Sequence, residues 1–195
     1  MSTTRYSEAT VPTEYGPVLV VVYREEETEK EHMALVVGRP PAAGEQVLVR
    51  VHSECWTGEV LRSHKCDCRD QLDQAMRAMQ AAGAGVVVYM RQEGRGIGLG
   101  NKIRAYALQE QGADTVDANR MLGFEDDERT YDVAAAILRD LGVSRVALLT
   151  NNPTKVDGLR AHGIAVDARV PIAVVPNAHN ADYLAVKAKR MGHDL

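Results

Sequence analysis

Asp70-Gln-Leu-Asp-Gln-Ala-Met-Arg-Ala-Met-Gln-Ala-Ala82, then Gly83, then Val86-Val-Val-Tyr-Met90, is the stretch that decides the fold. In its first part Leu72, Ala75, Met76 and Met79 recur at the spacing of one helix face, and Gly83 is a natural stop. Its second part is a short apolar run that reads as a buried strand. A helix running at once into a buried strand is the unit of alternating α/β structure.

The same alternation continues downstream. Ile97–Gln111 reads as a helix stopped by Gly112, Tyr131–Leu141 as a helix stopped by Gly142, and Arg145–Leu149 as a strand. Lys155–Ala161 is expected to be a helix, Ala165–Val170 a strand and Ala181–Met191 a closing helix. Upstream the pattern changes to strands. Pro17–Tyr23, His32–Val37 and Val47–His52 carry it, with the charged segment REEETEKE as an exposed hairpin tip. Residues 1–16 read as a loose arm with turn formers Pro12 and Gly16. Residues 17–195 then form one mixed α/β (α+β) domain, strand-rich first and alternating afterwards.

Composition narrows the function. The net charge is −4 and no Lys/Arg block stands out, so neither nucleic acid nor an anionic membrane is an expected partner. The longest apolar run, Val18 to Val22, is far too short to span a bilayer, and the first residues hold no apolar signal segment. A cytoplasmic protein is expected.

Three cysteines, Cys55, Cys66 and Cys68, lie within one short stretch, and none lies elsewhere. In a reducing compartment such a cluster reads better as a metal site than as a disulfide with a spare thiol. Three thiolates with a water describe a catalytic zinc, whose open position activates a nucleophile. Recruiting His52 or His64 as a fourth ligand would describe a structural zinc instead. The absence of metal is the third reading.

Arg91-Gln-Glu-Gly-Arg-Gly-Ile-Gly-Leu-Gly-Asn-Lys102 leaves a strand and opens a helix. It matches neither a Walker loop nor a dinucleotide fingerprint. Its glycines would let a backbone approach phosphates or simply form a flexible turn, and the cations Arg91, Arg95 and Lys102 around them suit a triphosphate. The Glu93 carboxylate is the natural bidentate acceptor for the two adjacent donors of a guanine edge. The alternative is a loop ion pair between Glu93 and Arg91 or Arg95. The charged loop before Tyr131 reads, on pattern alone, as a solvated helix N-terminus.

Six segments together resemble GTP cyclohydrolase II: Val51-His-Ser-Glu-Cys-x-Thr-Gly58, Cys66-Asp-Cys68, Arg91-Gln-Glu-Gly-Arg-Gly-Ile-Gly-Leu99, Asn101-Lys-Ile-Arg-Ala-Tyr106, Leu122-Gly-Phe-x-x-Asp-x-Arg129 and Leu149-Thr-Asn-Asn-Pro-x-Lys155. The resemblance implies a homodimer that opens the imidazole ring of GTP, releases C8 as formate and splits off pyrophosphate. Zinc would serve the ring and magnesium the triphosphate. It implies Cys55, Cys66 and Cys68 as zinc ligands, Asp127 as general base, Arg129 as nucleophile toward the α-phosphate, and Tyr106 beside the zinc. Nucleotide contacts would fall to Arg50, Val51, His52, Ser53, Glu54, Gln71, Glu93, Gly94, Arg95, Thr115, Thr150 and Lys155. A free guanidine is scarce at neutral pH, so a phosphate clamp is the rival role for Arg129. A relative that stops at the formamidopyrimidine is the alternative activity, and the retained Tyr106 argues against it. The chain departs from the family pattern at Trp56, His64, Lys65 and Arg69, all beside the cysteines.

Overall fold

A computed structural model describes residues 3–173 and residues 176, 178 and 180. The helix expected over Ala181–Met191 and the side chain of Thr115 lie outside the described residues. The strands are β1 (Thr3–Thr13), β2 (Gly16–Glu25), β3 (Glu31–Gly38), β4 (Gln46–Ser53), β5 (Ala84–Met90), β6 (Arg145–Leu149) and β7 (Ala165–Val170). The helices are α1 (Trp56–Glu59), α2 (Cys68–Ala82), α3 (Gly98–Glu110), α4 (Thr115–Met121), α5 (Asp132–Asp140) and α6 (Pro153–Ala161). All seven strands form one mixed sheet in the order β1-β2-β3-β5-β4-β6-β7. The first three strands and β5 pair antiparallel, while β5, β4, β6 and β7 pair parallel.

The sheet is sandwiched because its strands present alternate residues to its two faces. Val86, Val88 and Met90 of β5 pack with Val133, Ile137 and Leu138 of α5 and Leu159 of α6. Val87 turns the other way, into a cluster with Ala75, Met76 and Met79 of α2. The helix face read from the sequence is therefore the buried one. Gly83 ends α2 in the left-handed conformation at φ 71°, which glycine adopts without a side-chain clash.

Two expectations are corrected. The loose arm is an edge strand: Thr3–Thr13 pairs with β2 from Thr3↔Glu25 to Thr13↔Gly16. Its residues are exposed after Thr3, so main-chain hydrogen bonds rather than apolar burial hold it, and no hydrophobic alternation announces it. The hairpin tip is shorter than REEETEKE, because Arg24, Glu25 and Glu31 belong to the strands. Glu25 is buried beside buried His32, its carboxylate 3.6 Å from Nε2.

From β4 the chain crosses through α2 to β5 on one side, then returns through α3, α4 and α5 to β6 on the other. In a parallel sheet, the point where strand order reverses leaves a crevice beyond the strands' carboxyl ends. The residues after β4, β5 and β6 meet there. Among the described residues, no helix is long and apolar enough to cross a membrane.

Candidate active site

That crevice is a cleft of about 1030 Å³, counting its open mouth, lined from β4, α2, the glycine-rich segment, α3, Asn119 of α4 and the start of α6. Its lining carries two chemistries, a thiol cluster and a group of buried cations.

The three thiols converge on the cleft wall. Cys55 follows β4, Cys66 precedes α2 and Cys68 opens it, and their sulfurs all lie within 4.8 Å of one another. The Cys55 and Cys66 sulfurs are 3.6 Å apart. Tetrahedral zinc with Zn–S of about 2.3 Å separates its sulfurs by about 3.8 Å, so the thiols fit that ion. Gly58 makes the room, since a Cβ there would stand 2.8 Å from the Cys66 sulfur and 3.2 Å from that of Cys55. Neither His52 nor His64 joins the cluster. His52 Nε2 is 2.7 Å from Glu59 Oε1, and the same carboxylate accepts from Tyr89 and from the Cys55 backbone. Burial pushes the His52 ring below its usual pKa, and its Nδ1, at the cleft wall, has no hydrogen-bond partner.

Cations gather in the same cleft, near enough for the Cys68 sulfur to act on Arg50 and Lys155. Arg50 on β4 is buried and donates to the Leu149 carbonyl at 3.0 Å and to Gln71 at 2.5 Å, while its Nε has no partner. Lys155, in the first turn of α6, donates to the Val51 carbonyl at 2.7 Å. Burial pushes the Lys155 amine well below the lysine range, and the charges of Arg50 and Arg129 push it further. Burial likewise lowers Arg50, to about 10. Arg129 is gripped by Asp127 through two hydrogen bonds, 2.8 Å from Nε and 2.5 Å from Nη2. Burial alone would raise the Asp127 carboxyl, but Arg129 outweighs it and holds it below the ordinary aspartate value. Asn152 caps α6 by accepting from the Thr154 N–H, and Pro153 follows. A helix N-terminus and buried cations form a site that favours an anion.

The glycine-rich segment lines the same cleft. Gly94 and Arg95 both take left-handed backbone angles, at φ 63° and 64°. For a non-glycine residue this costs about 1–2 kcal/mol. It aims a guanidinium whose Nη2 is buried without a hydrogen-bond partner. Orphaned buried donors are rare in folded proteins unless a ligand or water meets them.

Most of the expected residues share the cleft: the three cysteines, Arg50, His52, Ser53, Glu54, Gln71, Glu93, Gly94, Arg95, Tyr106, Arg129, Thr150 and Lys155 all line it. Val51 does not; its side chain is core and its carbonyl holds Lys155. Asp127 acts behind Arg129 rather than on the wall. Two of the three cations expected around a triphosphate are engaged elsewhere. Arg91 pairs with Glu54, and Lys102 turns to the thiols. Glu93 is buried with both oxygens occupied, by the Trp56 and Gly94 N–H groups and the Lys102 ammonium. Its ion pair is with Lys102, not with either arginine. Of the departures, Trp56 is largely exposed, Lys65 lies over the Tyr106 ring at 4.7 Å and Arg69 donates to the Glu59 carbonyl. Asn119, Asn151 and Asn152 also line the cleft. The last two had a legible signal in Asn151-Asn-Pro153, an N-cap signature ahead of a helix.

Fold and cleft define an α/β protein whose crevice brings together a three-thiol cluster that could hold a metal ion and a group of buried cations. The chain belongs to the GTP cyclohydrolase II family, whose model matches residues 4–171. It is 53% identical over 189 residues to GTP cyclohydrolase-2 of Actinobacillus succinogenes, covering 97% of this chain and 87% of that one. It is 52% identical over 195 residues to GTP cyclohydrolase-2 of Hahella chejuensis, covering 100% and 94%. It is also 52% identical over 191 residues to riboflavin biosynthesis protein RibBA of Bacillus subtilis, but spans only 48% of that longer chain. Among solved structures, RibBX of A. baumannii, a two-domain 3,4-dihydroxy-2-butanone 4-phosphate synthase, aligns with TM-score 0.48 and 26% identity over 88% of this chain and 40% of that one.

Proposed function

We propose that this chain hydrolyses GTP to 2,5-diamino-6-ribosylamino-4(3H)-pyrimidinone 5′-phosphate, formate and pyrophosphate, the first step of riboflavin biosynthesis. The observation that carries this reading is the shared cleft, which holds a three-thiol cluster and buried cations together. A purine nucleotide likewise carries two reacting regions, a ring and its phosphates.

The balance needs two waters at C8, one for each C–N bond broken, and one at the α-phosphorus. Zinc held by Cys55, Cys66 and Cys68 supplies water activation at C8 when bound. Tyr106, which lines the same cleft, would assist proton transfer at the ring. Arg50, Arg95, Lys155 and Arg129 take the phosphates. Magnesium enters as part of the substrate, bound to the triphosphate, because the cleft carboxylates of Glu54 and Glu93 are already paired with Arg91 and Lys102.

Asp127 and Arg129 are read here as a clamp. A nucleophilic guanidine would have to lose its proton, and a neighbouring carboxyl held below its usual pKa is a poor acceptor. The bidentate grip fixes the guanidinium plane, which suits charge stabilisation at the α-phosphate. A homodimer is carried over from the resemblance, and sedimentation velocity checks it.

The direct test is incubation of the zinc-loaded protein with GTP and magnesium, with formate and pyrophosphate measured separately. Equal yields of both are expected. Pyrophosphate with the formyl group retained on the product would establish the relative that stops early, and no turnover of GTP would overturn the reading.

A further inference from the structure

Lys102 is a buried cation that the phosphate chemistry does not use. It lies in the second turn of α3, with its Nζ 2.7 Å from Glu93 Oε1 and 3.2 Å from the Cys55 sulfur. Glu93 is itself tied down. Its Oε2 accepts the Trp56 N–H at 2.6 Å, from the residue directly after Cys55, and its Oε1 also accepts the Gly94 N–H at 2.8 Å. One carboxylate thus fastens the ammonium, the cysteine loop and the glycine-rich turn together. The fit is close, because a Cβ on Gly94 would stand 3.1 Å from Lys102 Cβ.

Three thiolates on a divalent cation leave the cluster with one excess negative charge, in a site where Cys55 is buried. A fixed ammonium donating to one sulfur offsets that charge and holds the sulfur in place. Groups in this position around metal ligands set affinity as well as orientation.

The geometry points to Lys102 as a positioning residue for the metal-binding thiolates, an ammonium that hydrogen-bonds the Cys55 sulfur and is itself held by Glu93. The inference rests on the reading that the three cysteines hold zinc. It removes Lys102 from the triphosphate contacts and Glu93 from the base-reading groups, and assigns both to the thiol cluster.

The test uses the zinc-loaded protein and two readouts that do not depend on turnover. The first is zinc affinity, by competition with a chromogenic chelator. The second is the sulfur-to-metal charge-transfer band after cobalt(II) replaces zinc. Lys102→Met is expected to weaken zinc binding about 10–100-fold. It should also move the band to lower energy, because a thiolate without its hydrogen bond is the better donor. Lys102→Arg, which keeps the charge and the donor, should recover most of both. Glu93→Gln, which leaves the lysine in place but loosens its anchor, should fall between. Should Lys102→Met fail to fold, a band in Glu93→Gln displaced in the same direction supports the assignment, and an undisplaced one overturns it. Wild-type affinity and band position in a folded Lys102→Met protein would overturn the role of Lys102 alone. A wild-type protein that binds no zinc would overturn the metal reading beneath it.

Discussion

Two buried lysines face the same cleft and meet opposite fates. Lys102 has anions within reach: burial alone would depress its ammonium, but Cys55 and Glu93 outweigh that and raise it above the ordinary lysine value. Lys155 donates to a carbonyl, faces Arg50 and Arg129, and is driven the other way. The thiol cluster has its charge largely balanced by the protein's own groups. Among the cations, Arg129 is paired with Asp127, while Arg50 and Lys155 donate only to neutral groups, a carbonyl and the Gln71 amide for one and a carbonyl for the other. Burying an uncompensated charge costs several kcal/mol, so such an arrangement persists where binding uses it.

The largest expected effect breaks the thiol cluster. Cys66→Ser removes one of three ligands, so formate release should fall to background and zinc should drop below one per chain. Formate release near the wild-type rate from that variant would detach the cysteines from the ring chemistry.

The buried cations give the next effect. Arg129→Ala should slow pyrophosphate release by about 10²–10³-fold, the loss typical of one group that stabilises developing charge. Arg129→Lys keeps the charge and loses the planar fork, so an intermediate rate is expected from a clamp. A nucleotide adduct trapped on Arg129 of the wild-type protein would replace the clamp with covalent catalysis. The Asp127 carboxyl is depressed in the folded protein, so its contribution to stability is present above the ordinary aspartate value near 4. It is lost only as pH falls through the lower folded value.

Lys155→Met sharpens the comparison through stability. The folded-state amine is depressed, so the unfolded chain binds more protons across the window up to the ordinary lysine value near 10.4. Wild-type stability should therefore gain from this group as pH rises through that window, and the gain should vanish in the variant. Relief of the buried charge should make the ligand-free variant about 1–4 kcal/mol more stable than wild type near neutral pH, as read by urea unfolding. A destabilised variant would mean that the amine is not strained.

The smallest effect returns to the metal. Gly58→Ala places a methyl group 2.8 Å from the Cys66 sulfur, which must shift to admit it. Zinc affinity should fall about tenfold while the fold survives, and chelator competition reads it.

The alternating half of the fold was legible because its apolar residues repeat at helix and strand periods, as in Leu72, Ala75, Met76 and Met79. The β1 strand was hidden because Thr3–Thr13 buries almost nothing and is held mainly by backbone pairing, with Arg5 reaching Asp140 and Tyr6 lying under Arg24. The thiol cluster was legible because cysteines are few and their spacing is informative. The partners of Arg91, Glu93 and Lys102 were not. All three sit within one short loop and helix start, and the sequence does not say which way a charged side chain turns. Two left-handed residues at Gly94 and Arg95 decide that, and nothing in the sequence requires such angles at an arginine.

The thiols and the buried cations are expected to do separate work on one nucleotide. The most direct measurement is zinc content together with affinity for a non-hydrolysable GTP analogue, taken on the same samples of Cys66→Ser and Lys155→Met. A double dissociation is expected. Cys66→Ser should lose zinc yet bind the analogue within a few-fold of wild type. Lys155→Met should keep its zinc and lose about 100-fold in nucleotide affinity, the order expected for removing one partner of a buried charge contact. Loss of both properties in both variants would contradict it and make the cleft a single indivisible site.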